Sequence, residues 1–349
     1  MEHCNVTATA DLTKALYAAL TLAERAACLR QFGTQLVVSE SRAERAASVV
    51  EQWRSQKPFG AADFFERRLR LDGLTEEDLL TIAGLPTEVY SELMPDPPDW
   101  ILDLERLYWA DVPEHSTNDG FVEWAEQGTN GLLWVAHPLI QEGFRLLREG
   151  MGRLPAGSTP FELSTVERLV SENLLRTLKA TVERTLALEL NVARLQGLLE
   201  GQQPEDRLRS FCGRLRQRDV RQSIAREYPV LLRSLYAATR SWAEYSVELL
   251  TRLANDWDLI REELVPGLDE SNLISISAGA GDAHRRGKTV AILEFASGGK
   301  LVYKPRSQSV DVHFGELLEW MNQAGFQAPF RILKVVSHHF LPWPTGRLL

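Results

Sequence analysis

The sequence predicts an α+β protein that is mostly helical, with a small β unit late in the chain. Apolar residues recur at helical spacing through most of the first 265 positions. Short segments rich in β-branched and aromatic residues follow, separated by glycines, and helical spacing then returns. We therefore expect a helical body over residues 1–265, a β-containing segment over 266–336 and a divergent tail over 337–349.

Composition favours a globular protein with more than one structural unit. The chain has 349 residues, of which 44% are hydrophobic and 25% charged, enough to bury a sizeable core. No apolar run approaches twenty residues, and the first residues lack the pattern of a secretory signal. The sequence thus predicts a soluble, cytoplasmic protein without a membrane span.

Cysteine spacing and charge narrow the possible partners. Cys4, Cys28 and Cys212 form no close pair, which argues against a disulfide framework and against zinc. The net charge is −9, but from Ser271 onward nine Lys/Arg stand against five Asp/Glu. An acidic body argues against a nucleic-acid partner, whereas the basic late segment leaves room for a local anion site.

The helical body is expected to fill most of residues 8–265, with identifiable breaks. Thr75 and Asp78 form an approximate capping box at the start of one helix. Proline and glycine predict interruptions near 85–98 and 157–160. The stretch "VPGLDESN" marks the end of the body.

The β unit is expected to contain a hairpin. The segment "NLISISA" favours a first strand, and residues 288–296 should pair with 300–305 around Ser297-Gly298-Gly299, whose glycines tolerate positive φ. A helix from Asp311 should follow, and "FRILKVV", 330–336, is a further strand candidate.

Both faces of this hairpin are expected to be at least partly covered. Its large apolar side chains cannot all lie on one side of flat strands; they are Val290, Ile292, Phe295, Leu301 and Tyr303. We expect the helix from Asp311 and the helical body to cover them.

The order of elements is typical of the ATP-binding lobe of kinases, in which a strand lysine is oriented by an acidic residue on the next helix. Lys304 ends an apolar strand, and Glu316 follows on the predicted helix, with Glu319 as a competing partner. A hairpin that ends in Lys-Pro-Arg is, however, also an ordinary solvated strand end, and the pattern alone leaves both interpretations open.

The stretch "GDAHRRGKTVAILEFASGGKLVYKPRS", residues 281–307, resembles the dehydratase signature of the class II lanthipeptide synthetases, the LanM type. Helical segments upstream are also similar, so that the resemblance spans roughly 60–336. It implies a lipid-kinase-like core that uses ATP and magnesium to phosphorylate Ser/Thr of a precursor peptide and then eliminates the phosphate. The zinc-bearing cyclase of that family is a separate part.

The resemblance also implies site residues. Asp282 and His284 match the family's Asp-x-His pair of the elimination step, Lys304 matches the lysine of phosphoryl transfer, and Arg306 lies in the same motif. Carboxylate, imidazole and guanidinium groups suit proton removal and stabilisation of a departing phosphate. Taken without the resemblance, Asp282 and His284 also fit a simple Asx-type turn.

The last residues, "SHHFLPWPTGRLL", do not resemble the family's continuation. We expect a truncated kinase-like lobe that lacks the catalytic loop and is inactive alone, or that needs a missing C-terminal half. Two alternatives stay open. The chain is a non-catalytic helical module that binds a precursor (leader) peptide or a partner protein, or it is an unrelated helical interaction protein with an accidental hairpin.

Overall fold

The computed structural model describes residues 14–32, 38–61, 63–109, 119–154, 159–264, 273–279 and 288–336. The described residues form fourteen α-helices, two 3-10 segments and one small sheet. The predicted α+β class with a predominance of helix is therefore confirmed.

The α-helices precede and follow the sheet. They are α1 (Leu22–Phe32), α2 (Glu40–Ser55), α3 (Phe64–Leu71), α4 (Glu76–Gly84), α5 (Thr87–Leu93), α6 (Asp99–Trp109), α7 (Asp119–Ala125), α8 (His137–Met151), α9 (Leu163–Leu195), α10 (Pro204–Leu215), α11 (Arg218–Glu227), α12 (Pro229–Asn255), α13 (Trp257–Glu263) and α14 (Ser309–Gln323). The strands are β1 (Leu273–Ala278), β2 (Ala291–Phe295) and β3 (Lys300–Tyr303). The 3-10 segments are Tyr17–Ala19 and Gly128–Ala136.

The chain divides into two compact units. The first comprises residues 1–113 and 217–233, and the second comprises 114–216 and 234–349. The sheet therefore shares a unit with the long helices α9 and α12 rather than standing as a body of its own. None of the described helices is both long enough and apolar enough to cross a membrane.

The first unit is held by an apolar cluster and a partly buried ion pair. Its cluster consists of Ala26, Val50, Phe65, Leu69, Leu74, Leu79 and Ile82. Arg233 pairs with both carboxylate oxygens of Glu24, at 2.6 and 2.9 Å. Burial alone would raise the pKa of Glu24, but hydrogen bonds from Arg233 and Thr21 outweigh burial and lower it. The predicted capping box of α4 is confirmed by reciprocal hydrogen bonds between Thr75 and Asp78.

The second unit is built around α9 and α12. On α9 a buried stripe recurs every four residues, at Val166, Val170, Leu174, Leu178, Val182 and Leu186, as expected for one face of a helix. Trp242 of α12 donates its indole N–H to the Val170 carbonyl at 3.0 Å. The two helices thus form the support on which the sheet rests.

The sheet is antiparallel, in the order β1-β2-β3. Ile276 pairs with Leu293, which pairs with Leu301, so that the predicted hairpin is confirmed. The Phe295 carbonyl accepts the Gly298 N–H at 2.8 Å, and Gly298 has a φ of 83°, where a side chain would add strain.

The two faces of the sheet differ in burial. Leu273, Ala291, Leu293 and Phe295 are buried and form what we call the inner face, on which Trp257 stacks against Phe295 with ring centroids 5.5 Å apart. The outer face carries Ile292 and Val302, which pair with each other across β2 and β3. Val302 is 60% exposed. The expectation that both faces are at least partly covered is therefore confirmed for the inner face; on the outer face, among the described residues, it holds for the partly buried Ile292 but not for Val302.

Helix α14, which was expected to help cover the hairpin, is itself largely exposed. None of its residues is buried, and several of its large apolar side chains lie open. They form what we call the α14 stripe, composed of Val310, Phe314, Leu317 and Trp320. Their spacing places them on one side of the helix.

The predicted strand at 330–336 is wrong. Its residues have no regular secondary structure, and Asn322 of α14 exchanges two hydrogen bonds with the Phe330 backbone, at 2.9 and 2.7 Å. Lys334 donates to the Glu263 carbonyl at 2.9 Å. Strand formation needs a sheet edge to pair with as well as β-branched residues, and here the segment is held by helices instead.

Candidate functional site

The candidate site begins where β3 ends. Alternation along β3 leaves Lys300 and Val302 exposed while Leu301 and Tyr303 are partly buried, and Lys304 is the first residue beyond the strand. Pro305 lacks an N–H and cannot continue a ladder. The Arg306 N–H instead donates to the Lys304 carbonyl at 2.8 Å, so the chain turns sharply between two cationic side chains.

Both cations meet one carboxylate. Lys304 Nζ lies 3.0 Å from Asp311 Oδ1, and Arg306 Nη2 lies 3.8 Å from Asp311 Oδ2. About one third of the Lys304 and Asp311 side chains is exposed (33% and 30%), compared with 65% for Arg306. The cluster is therefore accessible from solvent but ordered by an ion pair.

The predicted partner of Lys304 was wrong. Glu316 Oε2 instead lies within hydrogen-bond distance of His313 Nδ1, at 3.0 Å, and Glu319 is exposed. The reason is geometric: Asp311 lies in the first turn of α14, directly after the turn that carries Lys304. Glu316 lies five residues, or about 7.5 Å, further along the helix axis. The roles predicted for Lys304, Arg306 and Glu316 in nucleotide binding stay predictions.

Asp282 and His284 lie outside the described residues, and their predicted roles stay predictions. The structure does describe both flanks of their segment. The Gly279 N–H donates to Thr289 Oγ1 at 2.9 Å, and Tyr245 of α12 donates its hydroxyl to the Thr289 carbonyl at 2.7 Å. The chain therefore leaves and re-enters the sheet at two hydrogen-bonded positions beside α12.

A charged cluster beneath the hairpin was missed by the sequence analysis. Glu248 of α12, only 17% exposed at its side chain, pairs with Lys288 and with Arg252 Nη2, the latter at 2.7 Å. The Tyr303 hydroxyl lies 3.5 Å from Glu248 Oε1. Lys288 lies 40 positions and Tyr303 lies 55 positions after Glu248 in the sequence. At such separations no local sequence pattern indicates a contact.

Burial raises the pKa of two tyrosines on this side of the sheet, Tyr245 and Tyr303. It raises the pKa of Tyr245 to about 12, although the hydrogen bond with Thr289 acts in the opposite direction. Burial also raises the pKa of Tyr303, and the negative charge of Glu248 adds to the effect. The phenols therefore act at neutral pH as hydrogen-bonding and packing groups.

The described residues offer no ready metal ligands. They contain no group of three or more His, Cys, Asp or Glu side chains placed to hold a metal ion. Of the cysteines, Cys28 is buried and Cys212 partly buried, and burial raises the pKa of Cys212 to about 11. A thiol in this state is a weak nucleophile and a weak ligand at neutral pH.

Part of the chain matches the model of a known protein family. The model of a family described as a domain of unknown function, DUF4135, matches residues 228–343. This range starts at the beginning of α12 and contains the whole sheet, α14 and the ion pair of Lys304 with Asp311.

The chain is also similar to a curated protein with a named role in biosynthesis. The chain is similar to the lacticin 481/lactococcin biosynthesis protein LcnDR2 of Lactococcus lactis subsp. lactis, with 28% identity over 164 residues. The similarity covers 46% of this chain and 17% of the length of that protein. Both matches support a relationship between this chain and the LanM-type lanthipeptide synthetases.

Proposed function

We propose that this chain acts in lanthipeptide biosynthesis and supplies phosphate-binding residues of an ATP-dependent dehydratase that phosphorylates Ser or Thr of a precursor peptide. The observation that carries the proposal is the convergence of Lys304 and Arg306 on Asp311 directly after β3. The resemblance of residues 281–307 to the dehydratase signature and the similarity to LcnDR2 support the same function.

The chemistry of the first step needs cations at the phosphates. The peptide hydroxyl attacks the γ-phosphorus and gives its proton to a general base, the bond to the β–γ bridging oxygen breaks, and ADP leaves with that electron pair. Negative charge on the phosphate oxygens is stabilised by fixed cations that need no rearrangement. Lys304 supplies a point charge on a packed stem, and Arg306 supplies a planar fork that matches phosphate geometry.

The second step removes the phosphate. A base takes the α-proton of the phosphorylated residue, the α,β double bond forms, and the Cβ–O bond breaks as phosphate departs. We assign the proton transfers to Asp282 and His284 and the stabilisation of the departing phosphate to Arg306. These assignments rest on the resemblance and on the chemistry of the side chains.

Phosphate binding and metal binding are not equally supported. Magnesium, when bound, would neutralise phosphate charge, but the described residues contain no matching ligand cluster.

We propose that the 349-residue polypeptide alone leaves precursor peptide unmodified, because the catalytic-loop acid implied by the resemblance has no counterpart in the sequence. Mass spectrometry after incubation with a class II precursor peptide, ATP and magnesium tests this point; multiple turnovers would overturn it.

Binding of ATP tests the phosphate-binding role. Titration calorimetry should detect weak binding, in about the millimolar range, since a few charged contacts are offset by the entropic cost of association. Lys304→Met should weaken this binding about tenfold or more, because a charge-assisted contact contributes about 1.5–3 kcal/mol.

Lys300→Met is the matched control, since Lys300 lies at the start of β3, at the opposite end of the strand from Lys304, and pairs with Glu294. It should bind ATP like the wild type. The proposal is wrong if the wild type does not bind ATP at millimolar concentrations, or if both variants bind ATP equally well.

A second candidate function is binding of the precursor peptide without catalysis. The α14 stripe favours it, because Phe314 and Trp320 are 58% and 65% exposed on one helix face and such a face suits an apolar peptide segment. A labelled precursor peptide should bind without ATP, and Trp320→Ser should weaken binding. Leu188→Ser, at a position 56% exposed on α9, is the control that should leave it unchanged. Equal loss with both variants, or none, would count against this candidate.

A further inference from the structure

Asp311 lies between the two cations of the candidate site. Each of its oxygens faces a different partner, with Oδ1 toward Lys304 and Oδ2 toward Arg306. Lys304 and Arg306 are separated in sequence only by Pro305, so without a carboxylate between them their like charges would repel and drive the side chains apart. One acidic residue therefore sets the spacing of the pair.

We propose that Asp311 is the positioning residue that holds Lys304 and Arg306 side by side for phosphate oxygens, without itself touching the nucleotide. This inference rests on the proposed function and names the residue that orders the site. A lysine side chain has four rotatable bonds and loses much entropy when it is fixed. An acidic partner that holds the ammonium before the ligand arrives lowers that cost at the moment of binding.

The position of Asp311 suits this role better than that of Glu316. Its backbone belongs to the first turn of α14, and its short side chain reaches Lys304 directly across the preceding turn. Helix geometry thus fixes the carboxylate relative to the end of β3. Glu316 projects from a later turn and hydrogen-bonds with His313.

The surroundings of the second carboxylate oxygen of Asp311 also support a positioning role. Asp311 Oδ2 is shielded from solvent and accepts no hydrogen bond from the described residues, while Arg306 Nη2 lies 3.8 Å away. A buried acceptor without a donor is unfavourable. Movement of the exposed Arg306 side chain by about 1 Å would complete a charge-assisted hydrogen bond, so that both oxygens of Asp311 would then hold a cation.

An ATP derivative with a terminal acyl phosphate tests this arrangement in the full chain. In labelling, a lysine Nζ attacks the acyl carbon, an amide forms, the acyl–oxygen bond breaks and ATP leaves. The ratio of labelled Lys304 to labelled Lys300, measured by peptide mass spectrometry, reports how well Lys304 is placed at the phosphates. In the wild type this ratio should exceed one and fall when ATP competes.

Two substitutions of Asp311 test whether its carboxylate positions Lys304 for labelling. Asp311→Asn should lower the Lys304/Lys300 ratio by about fivefold, the upper range for a partly exposed ion pair, and Asp311→Glu should recover part of the loss. A general acylating reagent should label Lys304 of Asp311→Asn at least as well as in the wild type. Thermal unfolding of both variants should match the wild type, which shows that α14 is intact.

The outcomes distinguish the two proposals. If wild-type Lys304 is not labelled in preference to Lys300, or ATP does not protect it, the proposed function itself fails. If wild-type labelling is selective and ATP-protected but Asp311→Asn labels equally or more, the phosphate site stands and Asp311 is not its positioning residue. Failure of Asp311→Glu to exceed Asp311→Asn would likewise overturn the role of the carboxylate.

Discussion

The inner and outer faces of the three-stranded sheet have the same backbone pairing but opposite surroundings. Phe295 on the inner face is 1% exposed and stacks on Trp257, whereas Val302 on the outer face is 60% exposed. Both positions lie on strands of one hairpin. Period-2 alternation assigns each residue to a face, but what covers that face depends on elements far away in the sequence.

The inner face of the sheet is part of the structural core, whereas the outer face contributes to the surface that a partner can reach. The inner face is fixed by α12 and α13 through aromatic packing and through Glu248. Val302 on the outer face and the α14 stripe are exposed among the described residues, and the Lys304 cluster lies between β3 and the start of α14. Mutations should therefore affect stability on the inner side and binding on the outer side.

The largest expected effect is on the inner face. Phe295→Ala should lower the free energy of unfolding of the second unit by about 3–5 kcal/mol, because it removes a buried aromatic side chain and leaves a cavity. Urea unfolding followed by tryptophan fluorescence measures the change. Val302→Ala is the matched control on the next strand and should cost less than about 1 kcal/mol; similar costs for the two variants would contradict the assignment of faces.

The charged cluster around Glu248 should contribute more to stability than an exposed ion pair on the outer face, although the difference should be smaller than that between Phe295 and Val302. Glu248→Gln leaves Lys288 and Arg252 without their shared carboxylate and should destabilise the protein by about 2–3 kcal/mol. Glu294→Gln breaks the exposed pair with Lys300 and should cost less than about 1 kcal/mol. Chemical denaturation of both variants gives the comparison, and equal costs would show that Glu248 is not a structural anchor.

Tyr245 gives a pH-dependent test of the inner side. Its pKa is raised to about 12 in the folded protein, above the ordinary value of about 10, so the folded state favours the neutral phenol. This contribution to stability is fully present below pH 10 and is lost as the pH rises toward 12. Tyr245→Phe should cost about 1 kcal/mol at pH 7 for the lost hydrogen bond.

The difference between Tyr245→Phe and the wild type should shrink above pH 10. Denaturant unfolding of both proteins at pH 7, 9 and 10.5 measures it. A difference that stays constant across this range would mean that the phenol is not protected from ionisation in the folded state.

The smallest effect is expected on the outer side. Trp320→Ser should change the free energy of unfolding by less than about 0.5 kcal/mol, since an exposed side chain leaves no cavity. Thermal unfolding checks this result. A large loss of stability would show that the α14 stripe packs against part of this same chain.

Local signals predicted much of the fold. The capping box at Thr75 and the hairpin around Gly298 were predicted because each depends on residues within a few positions of one another. The helical stripe of α9 was equally local. The failed strand at 330–336 shows the limit, because β-branched residues indicate a preference and not a pairing partner.

The candidate site was predicted only in part. The motif singled out Lys304 and Arg306, whose roles stay predictions, but the acidic partner of Lys304 was misjudged because the connection between β3 and α14 fixes which helical turn lies beside Lys304. An acidic residue in the first turn after the Lys-Pro-Arg motif is the signal that points to Asp311. Glu248 had no comparable signal, since its contacts join α12 to residues 40 and 55 positions later.

A structure of the protein with a non-hydrolysable ATP analogue tests the central claim most directly. The account predicts the triphosphate at the end of β3, with Lys304 Nζ within about 3 Å of a phosphate oxygen and still paired with Asp311. Arg306 should have moved toward Asp311 Oδ2 from its present 3.8 Å. Phosphates bound away from Lys304, or no bound nucleotide at saturating concentrations, would contradict the account.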